Sequence, residues 1–182
     1  CAEALVAGAA QSVQFTLGKE TLSAPVTDGK AECTFKLENV HLWDGVNDPY
    51  LYKMQATLDS GDAVEANFGC RTIAFDAEKG FILNGRPYRL CGAARHQDRQ
   101  GLGNALTEKE HDEDMALLRE MGANTVRLAH YQHAQYFYDL CDKYGLVAWA
   151  EIPYITEHMP EGRANTLSQM TELVVQNYNH PS

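Results

Sequence analysis

The hydrophobic pattern changes its period once along the 182-residue chain, and this change limits the folds that the chain can adopt. Up to about residue 76, apolar and polar residues alternate in short runs, most clearly within 31–37, 52–58 and 64–70. Such alternation is typical of half-buried antiparallel strands. Beyond about residue 80, apolar residues recur at helical spacing between short apolar segments, which indicates strands alternating with helices. We therefore predict a multi-domain chain, with an all-β region followed by an α/β region.

The first region, residues 1–76, is predicted to form a small β-sandwich. Turn-forming residues separate its alternating runs, and the turn at 60–62 lies between two of them, which predicts a hairpin there. Several short strands at this spacing are typical of two packed antiparallel sheets.

The second region, residues 77–182, is predicted to contain three successive βα units. Its strands are predicted at 89–91, 124–128 and 146–150, and the last is apolar throughout, as expected of a parallel strand covered on both faces. No glycine-rich phosphate loop follows the first strand, which disfavours a doubly wound nucleotide-binding sheet. Three units cannot close a barrel. We therefore predict the first part of a (β/α)8 TIM barrel, whose remaining units would follow Ser182.

Local signals place the ends of the three predicted helices. The first begins at Thr107, because Glu110 three residues later completes a capping box. Gly122 and Gly145 end the first two helices, since glycine favours the left-handed conformation found there. The third is predicted over 166–178. The predicted inner face of the first helix consists of His111, Met115 and Leu118. The second helix carries Phe137, Leu140, Cys141 and Tyr144, and the third has Leu167, Met170 and Val174 on one face.

The charge and the composition disfavour several classes of binding partner. With 25 acidic and 15 basic residues the formal net charge is −10, which disfavours nucleic acids and anionic membrane surfaces. No apolar run approaches the roughly 20 residues that cross a bilayer. The five cysteines are widely spaced and form no zinc motif, so we interpret them as buried reduced thiols. A neutral, hydroxyl-rich ligand would fit a site of carboxylates and imidazoles.

Polar and ionisable residues follow all three predicted strands, where βα barrels carry their functional groups. Arg127 lies in an otherwise apolar strand, so it is expected to meet a carboxylate, and Glu151 directly follows the third strand. Each position also has a simpler explanation: Arg95 and Asp98 could form a surface ion pair, and His96 and Glu151 could be solvated residues at strand ends. The candidate site residues are His96, Asp98, Arg127, His130 and Glu151.

Several motifs resemble family 2 glycoside hydrolases, and the β-galactosidase branch fits best. The most specific is Asn124-Thr-Val-Arg127-Leu-Ala-His130-Tyr131, followed by 139–147. Three other segments resemble the family at the first strand, in the sandwich before the barrel and in the approach to the fourth strand. These segments are 90–98, 42–52 and 177–182.

The resemblance implies an immunoglobulin-like sandwich followed by a truncated TIM barrel, and a parent enzyme that cleaves terminal β-D-galactosides with retention. Such enzymes use two glutamates, an acid/base and a nucleophile. The family's acid/base lies in a W-G-x-x-N-E segment shortly after the equivalent of Ser182, and the nucleophile lies further on. Neither matches a residue here, so we predict that this chain is inactive alone. His96, Arg127 and His130 match positions that line the sugar subsite or orient the catalytic carboxylates, and Glu151 is expected to contact sugar or an arginine.

Two departures from the family pattern limit this reading. Gln132 stands where the family commonly has proline after the His-Tyr pair. Some β-galactosidases bind magnesium through a Glu-Thr-His element, whereas this chain has Tyr154-Ile-Thr-Glu-His158. We therefore carry no cofactor over to this chain from the family.

Two alternative functions and two association states are also predicted. A metal-dependent TIM-barrel hydrolase would use His96, Asp98, His130 and His133 as ligands. A non-catalytic carbohydrate-binding or structural module would need no catalytic carboxylates. Because three parallel strands leave an edge unpaired, we expect this chain to self-associate, and we expect the parent to be a homo-oligomer.

Overall fold

In the computed structural model, which describes residues 1–182, strands alone occupy the first part of the chain and alternate with helices in the second. The chain divides into two compact units. The first comprises Cys1–His41 and Leu51–Phe68, and the second comprises Leu42–Tyr50 and Gly69–Ser182. None of the helices has the length and apolarity needed to cross a membrane. The proposed domain boundary between residues 76 and 77 stays a prediction.

The first unit is a β-sandwich, as predicted. Its strands are β1 (Ala2–Leu5), β2 (Ser12–Leu17), β3 (Glu20–Pro25), β4 (Lys30–Cys33), β5 (Tyr52–Leu58) and β6 (Ala63–Phe68). An antiparallel sheet in the order β3-β2-β5-β6 packs on the antiparallel pair β1-β4. Val13 and Phe15 of the larger sheet are fully buried, and Ala2 and Ala4 of the pair pack against the cluster that contains them. The predicted hairpin is confirmed, because β5 and β6 pair antiparallel across residues 60–62.

The second unit joins a small antiparallel sheet to a parallel one. Its elements are β7 (Ile73–Asp76), β8 (Gly80–Leu83), β9 (Arg86–Pro87), β10 (Gly92–Arg95), α1 (Glu108–Glu120), β11 (Thr125–Leu128), α2 (Gln135–Tyr144), β12 (Val147–Ala150) and α3 (Arg163–Gln176). The order β10-β11-β12, with both pairs parallel, confirms three successive βα units. These strands form an open sheet and no closed barrel.

One face of the parallel sheet packs against helices and the other is open. Val126 and Leu128 of β11 are fully buried in a cluster with Met115 of α1 and Phe137 of α2. Since side chains alternate across a strand, Arg127 lies on the opposite face. There the register places it beside Ala94 of β10 and Trp149 of β12.

The predicted ends of the first two helices are confirmed, whereas the third helix spans Arg163–Gln176 rather than the predicted 166–178. Thr107 and Glu110 form the capping box at the start of α1, with the Thr107 amide donating to the Glu110 carboxylate at 2.8 Å. Gly145 ends α2 in the left-handed conformation, with φ of 79°. A Cβ at Gly145 would lie 2.2 Å from the carbonyl oxygen of Gly45, so this glycine also permits a close approach of the segment Leu42–Tyr50. Trp43 of the same segment is fully buried and donates its indole N–H to the Asp142 carbonyl at 2.9 Å.

Two local predictions about the strands are wrong. The first parallel strand begins at Gly92 rather than at residue 89, because the Asn124 side chain bonds the backbone of Cys91 and of Arg89 in place of a strand partner. The third strand is covered on one face only, since Trp149 is 64% exposed. The apolar face predicted for the last helix is exposed, because no element of the described chain packs over it. The exposed residues of that face include Leu167, Met170 and Val174.

We expect the chain to self-associate, because this apolar face and the open face of the parallel sheet both meet solvent. Light scattering should give a mass that rises with concentration above the 20.2 kDa of the monomer. Met170→Lys should lower that mass. Leu5→Lys, which changes an exposed leucine of the first unit, is the matched control and should leave it unchanged. A single 20.2 kDa species at every concentration would contradict this expectation.

Candidate functional site

An ion pair joins the second and third strands of the parallel sheet at their carboxyl ends. The Nε of Arg127 donates to Oε1 of Glu151 at 2.5 Å, and a terminal nitrogen of the same guanidinium lies 3.3 Å from Oε2. Arg127 reaches this position because Val126 and Leu128 occupy the helix side of β11. Glu151 reaches it because it directly follows β12. The prediction that Arg127 meets a carboxylate is confirmed.

His130 completes a three-residue cluster with this pair. Its Nδ1 lies 3.1 Å from Arg127 and 3.0 Å from Oε2 of Glu151, and it cannot accept from one and donate to the other at once. An ionised carboxylate at this distance favours a protonated Nδ1 that donates to Glu151. In that form Nε2 is left to interact with a ligand. The peptide bond between Ala129 and His130 is cis.

The cluster keeps Glu151 ionised. The hydrogen bond from Arg127 is the largest cause of a lowered pKa, the bond from His130 adds to it, and together they outweigh burial, which acts in the other direction. A carboxylate held in this way is a fixed negative charge at the end of the sheet rather than a proton donor near neutral pH.

His96 lies beside the cluster on the loop after β10. Its ring centre is 5.1 Å from that of His130, with the rings edge to face, and 6.2 Å from that of Tyr131. Gln97 links the loop after β10 to the loop after β11. Its amide donates to the Tyr131 hydroxyl at 3.1 Å, and its side-chain oxygen accepts from the Ala134 amide at 2.7 Å. The sequence analysis assigned no such link to Gln97 and Tyr131.

Asp98 is not brought into the cluster. It is exposed and makes no hydrogen bond or ion pair. The surface pair suggested between Asp98 and Arg95 is wrong, because Arg95 is buried and bonds Asp114 instead, with Nε donating to Oδ2 at 2.8 Å. A functional role for Asp98 stays a prediction.

Arg95 forms a second, buried cluster that sequence reasoning missed. Only 7% exposed, it lies on the helix side of β10, where its terminal nitrogens contact Nδ1 of His111 at 2.9 Å and Nδ1 of His133 at 3.0 Å. Its guanidinium lies 3.9 Å from the centre of the Phe137 ring. Burial is the main cause that lowers the pKa of His133 to about 4. A signal was present in the sequence, since Asp114 stands three residues after His111 and beside the predicted inner face of the helix.

The metal site predicted as an alternative is wrong. Asp98 makes no contact there, and both ring nitrogens of His133 are occupied, one by Arg95 and the other by the Ala129 carbonyl at 3.1 Å. The segment that departs from the family's magnesium element forms no ligand cluster either, because His158 bonds the Tyr154 hydroxyl. Three metal-capable side chains do meet in one group. They are Asp139, Asp142 and His180.

That group is explained by ordinary hydrogen bonds. His180 and Asp142 are joined through Nδ1 and Oδ2 at 2.6 Å, and the other carboxylate oxygen of Asp142 accepts from the Ser182 amide at 3.1 Å. Asp139 is exposed. The contacts fix the end of the chain beside α2.

Removing Arg127 should raise the pKa of Glu151 toward the ordinary carboxyl value of 4.5, because the largest cause of its lowering disappears. The measurement is a carboxyl ¹³C NMR titration of Arg127→Met, with Arg163→Met as control, since Arg163 is an exposed arginine outside the cluster. A lowered folded-state pKa stabilises the protein above the ordinary carboxyl pKa, and this stabilisation is lost as the pH falls through the folded value. An unchanged Glu151 titration in Arg127→Met would contradict the role assigned to the pair.

Comparison with known proteins matches both units to one family. Residues 3–71 match the model described as glycosyl hydrolases family 2, and residues 76–182 match glycosyl hydrolases family 2, TIM barrel domain. The chain is 44% identical over 159 residues to a β-glucuronidase of Bacteroides fragilis, covering 80% of this chain and 23% of that protein. It is 33% identical over 159 residues to a β-galactosidase of Thermoanaerobacterium thermosulfurigenes, covering 82% and 22%.

A solved structure agrees with these matches. The FMN-binding β-glucuronidase from Facaelibacterium prausnitzii L2-6 superposes with a TM-score of 0.82 at 37% identity, over 93% of this chain and 28% of that one. This chain thus spans roughly a quarter of the length of the relatives that it matches.

Proposed function

Because the chain belongs to family 2 of the glycosyl hydrolases, we propose that it supplies the sandwich and the first barrel units of a retaining enzyme that hydrolyses terminal β-D-glycosides. The observation that carries this proposal is the cluster of Arg127, His130 and Glu151 at the carboxyl ends of two neighbouring strands. In βα barrels that end of the sheet is where substrates bind.

Each member of the cluster has a separate task in the proposed reaction. Glu151 fixes the His130 ring by accepting from Nδ1, so that Nε2 faces the position of a sugar hydroxyl. Hydrogen bonds to sugar hydroxyls that strengthen in the transition state supply several kcal/mol in retaining glycosidases. His96, whose ring lies beside that of His130, adds a second imidazole to the same surface.

Arg127 is left with capacity for a second carboxylate. Its Nε and one terminal nitrogen face Glu151, while its other terminal nitrogen makes no hydrogen bond, and its side chain is 42% exposed. A guanidinium shared in this way would hold a nucleophilic glutamate from another part of the barrel ionised.

The proposed substrate is a terminal β-D-glucuronide, with a β-D-galactoside as the second candidate. The motifs in the sequence favoured a galactoside. Similarity to the β-glucuronidase of Bacteroides fragilis is higher than to the β-galactosidase of Thermoanaerobacterium thermosulfurigenes, which supports the glucuronide first. The residues of the cluster are compatible with either sugar, since both present hydroxyls to the imidazoles.

The test compares this chain with the complete product of the gene that encodes it, on 4-nitrophenyl β-D-glucuronide and β-D-galactoside. We expect the complete product to hydrolyse one of them and this chain to hydrolyse neither, because no pair of catalytic carboxylates is present to lower the barrier. Turnover by this chain alone, or no turnover of either glycoside by the complete product, would contradict the proposal. Sugar binding without turnover would favour the carbohydrate-binding alternative.

The cluster itself is tested in the complete product. Arg127→Met should lower kcat/KM by roughly 100-fold, in the range found when one preorganised donor is removed from an active site. The control Arg163→Met removes an exposed arginine and should leave kcat/KM unchanged.

A further inference from the structure

We propose that Arg95 and His133 are positioning residues for His130, acting through the carbonyl group of Ala129. This inference rests on the proposed function, because it assigns a purpose to a buried cluster that the sugar would never touch. The connection runs from Asp114 on α1 through Arg95 and His133 to the residue that precedes His130.

The protonation of His133 follows from its partners. Arginine can only donate, so Nδ1 of His133, at 3.0 Å from the guanidinium, must accept. The proton of the neutral ring therefore lies on Nε2, where it donates to the Ala129 carbonyl oxygen at 3.1 Å. Both ring nitrogens are used, and the ring is 3% exposed. Arg95 thus fixes the tautomer whose N–H holds the Ala129 carbonyl.

The held carbonyl belongs to the peptide bond that connects directly to His130. Once Ala129 is fixed, the backbone at His130 starts from a defined position, and Nδ1 reaches Glu151 at 3.0 Å. The only side-chain hydrogen bond that holds the His130 ring is the one that Nδ1 donates to Glu151, with the Arg127 guanidinium beside it. Its position therefore depends on the backbone that precedes it.

Stability alone is a poor explanation for this cluster. Well-packed apolar residues in place of a buried ion pair are often as stable or more stable, because burying charge costs several kcal/mol per ion. Here a cation, an anion and two imidazoles occupy the layer between β10 and α1, with each nitrogen of the guanidinium bonded. Hydrogen bonds in such an arrangement fix the orientation of the side chains, whereas apolar packing does not.

Two amide substitutions at position 133 separate the two bonds of the ring. In His133→Gln the side-chain NH2 lies near the place of Nε2 and can still donate to Ala129. In His133→Asn the side-chain oxygen lies near the place of Nδ1 and can still accept from Arg95, but the bond to Ala129 is lost. Both variants bury one neutral amide, so they are matched in polarity. A cooperative thermal unfolding transition of each variant establishes that it folds.

The measurement is the long-range ¹H–¹⁵N spectrum of the histidines in this chain, combined with the ¹³C titration of Glu151. We expect His133→Asn to lose the His130 Nδ1–H signal and to raise the pKa of Glu151, and His133→Gln to retain both wild-type values. An unchanged His130 signal in His133→Asn, or an equal loss in both folded variants, would overturn the proposal. No sugar or turnover enters the measurement, so its failure is distinguishable from failure of the proposed function.

Discussion

Gly92→Ala should abolish the native parallel sheet. A Cβ at Gly92 would lie 1.8 Å from the carbonyl oxygen of Thr125 and 2.9 Å from its side-chain methyl group. The first contact is with backbone in the neighbouring strand, so no rotamer change relieves it, and β10 must move away from β11. Overpacking typically costs about 1–3 kcal/mol, and a backbone contact this close should cost at least the upper value. Domains are stable by only about 5–15 kcal/mol, so a cost of this size removes a large part of the stability.

Tryptophan fluorescence during urea unfolding measures this effect in the second unit alone. Both tryptophans of the chain, Trp43 and Trp149, belong to that unit. Gly162→Ala is the matched control, because its Cβ would meet nothing closer than 3.6 Å and its φ of −81° suits alanine. We expect the control to unfold at the wild-type midpoint. A wild-type midpoint for Gly92→Ala would show that the two strands lie further apart than the structure places them.

Sequence patterns that span only a few residues predicted the helix ends of this fold well. The capping box of Thr107 and Glu110 and the glycine that ends α2 were both recognised, because each depends on the chemistry of one turn. The pairing of Arg127 was also predictable. An arginine inside an apolar strand must meet a partner, and the end of the adjacent strand supplied Glu151.

The buried position of Arg95 was not predictable, because it depended on where a strand begins. A strand at 89–91 leaves Arg95 in a loop, facing the site. The observed strand, Gly92–Arg95, makes it the last strand residue, and alternation then places its side chain with that of Ala93 on the helix side. The position of a strand's end therefore decides whether a residue such as Arg95 is held on one face of the sheet or lies in a loop.

Amphipathicity likewise identified the apolar face of α3 but not its surroundings. Leu167 and Val174 share that face, as predicted, yet the buried leucine of the helix is Leu173. The pattern of a sequence shows which side of a helix is apolar. It does not show whether any element of the same chain covers that side, which is a property of tertiary structure.

Asp114→Ala should destabilise the second unit by about 3 kcal/mol, the lower end of the range for removing one partner of a buried ion pair. The side chain of Arg95 is 6% exposed and would lose its only carboxylate. The lower end is appropriate because the Asp114 side chain is itself 23% exposed. Asp112→Ala is the matched control on the same helix. Asp112 is exposed and bonds only the Tyr136 hydroxyl, at 3.0 Å, so its removal should cost under about 1 kcal/mol.

A second substitution shows whether the stability lost in Asp114→Ala comes from the unpaired charge of Arg95. Adding Arg95→Met to Asp114→Ala removes the unpaired cation, so the double variant should be more stable than Asp114→Ala alone. The coupling between the two substitutions is measured by urea unfolding, which is monitored by tryptophan fluorescence. Equal stability of Asp114→Ala and Asp112→Ala would show that the pair contributes no more than a surface contact. Because Arg95 also bonds His133, the same double variant should release the His133 ring, so stability would recover while the position of His130 would not. Recovery of the stability without recovery of the His130 position is the behaviour expected if Arg95 and Asp114 are retained to orient His130.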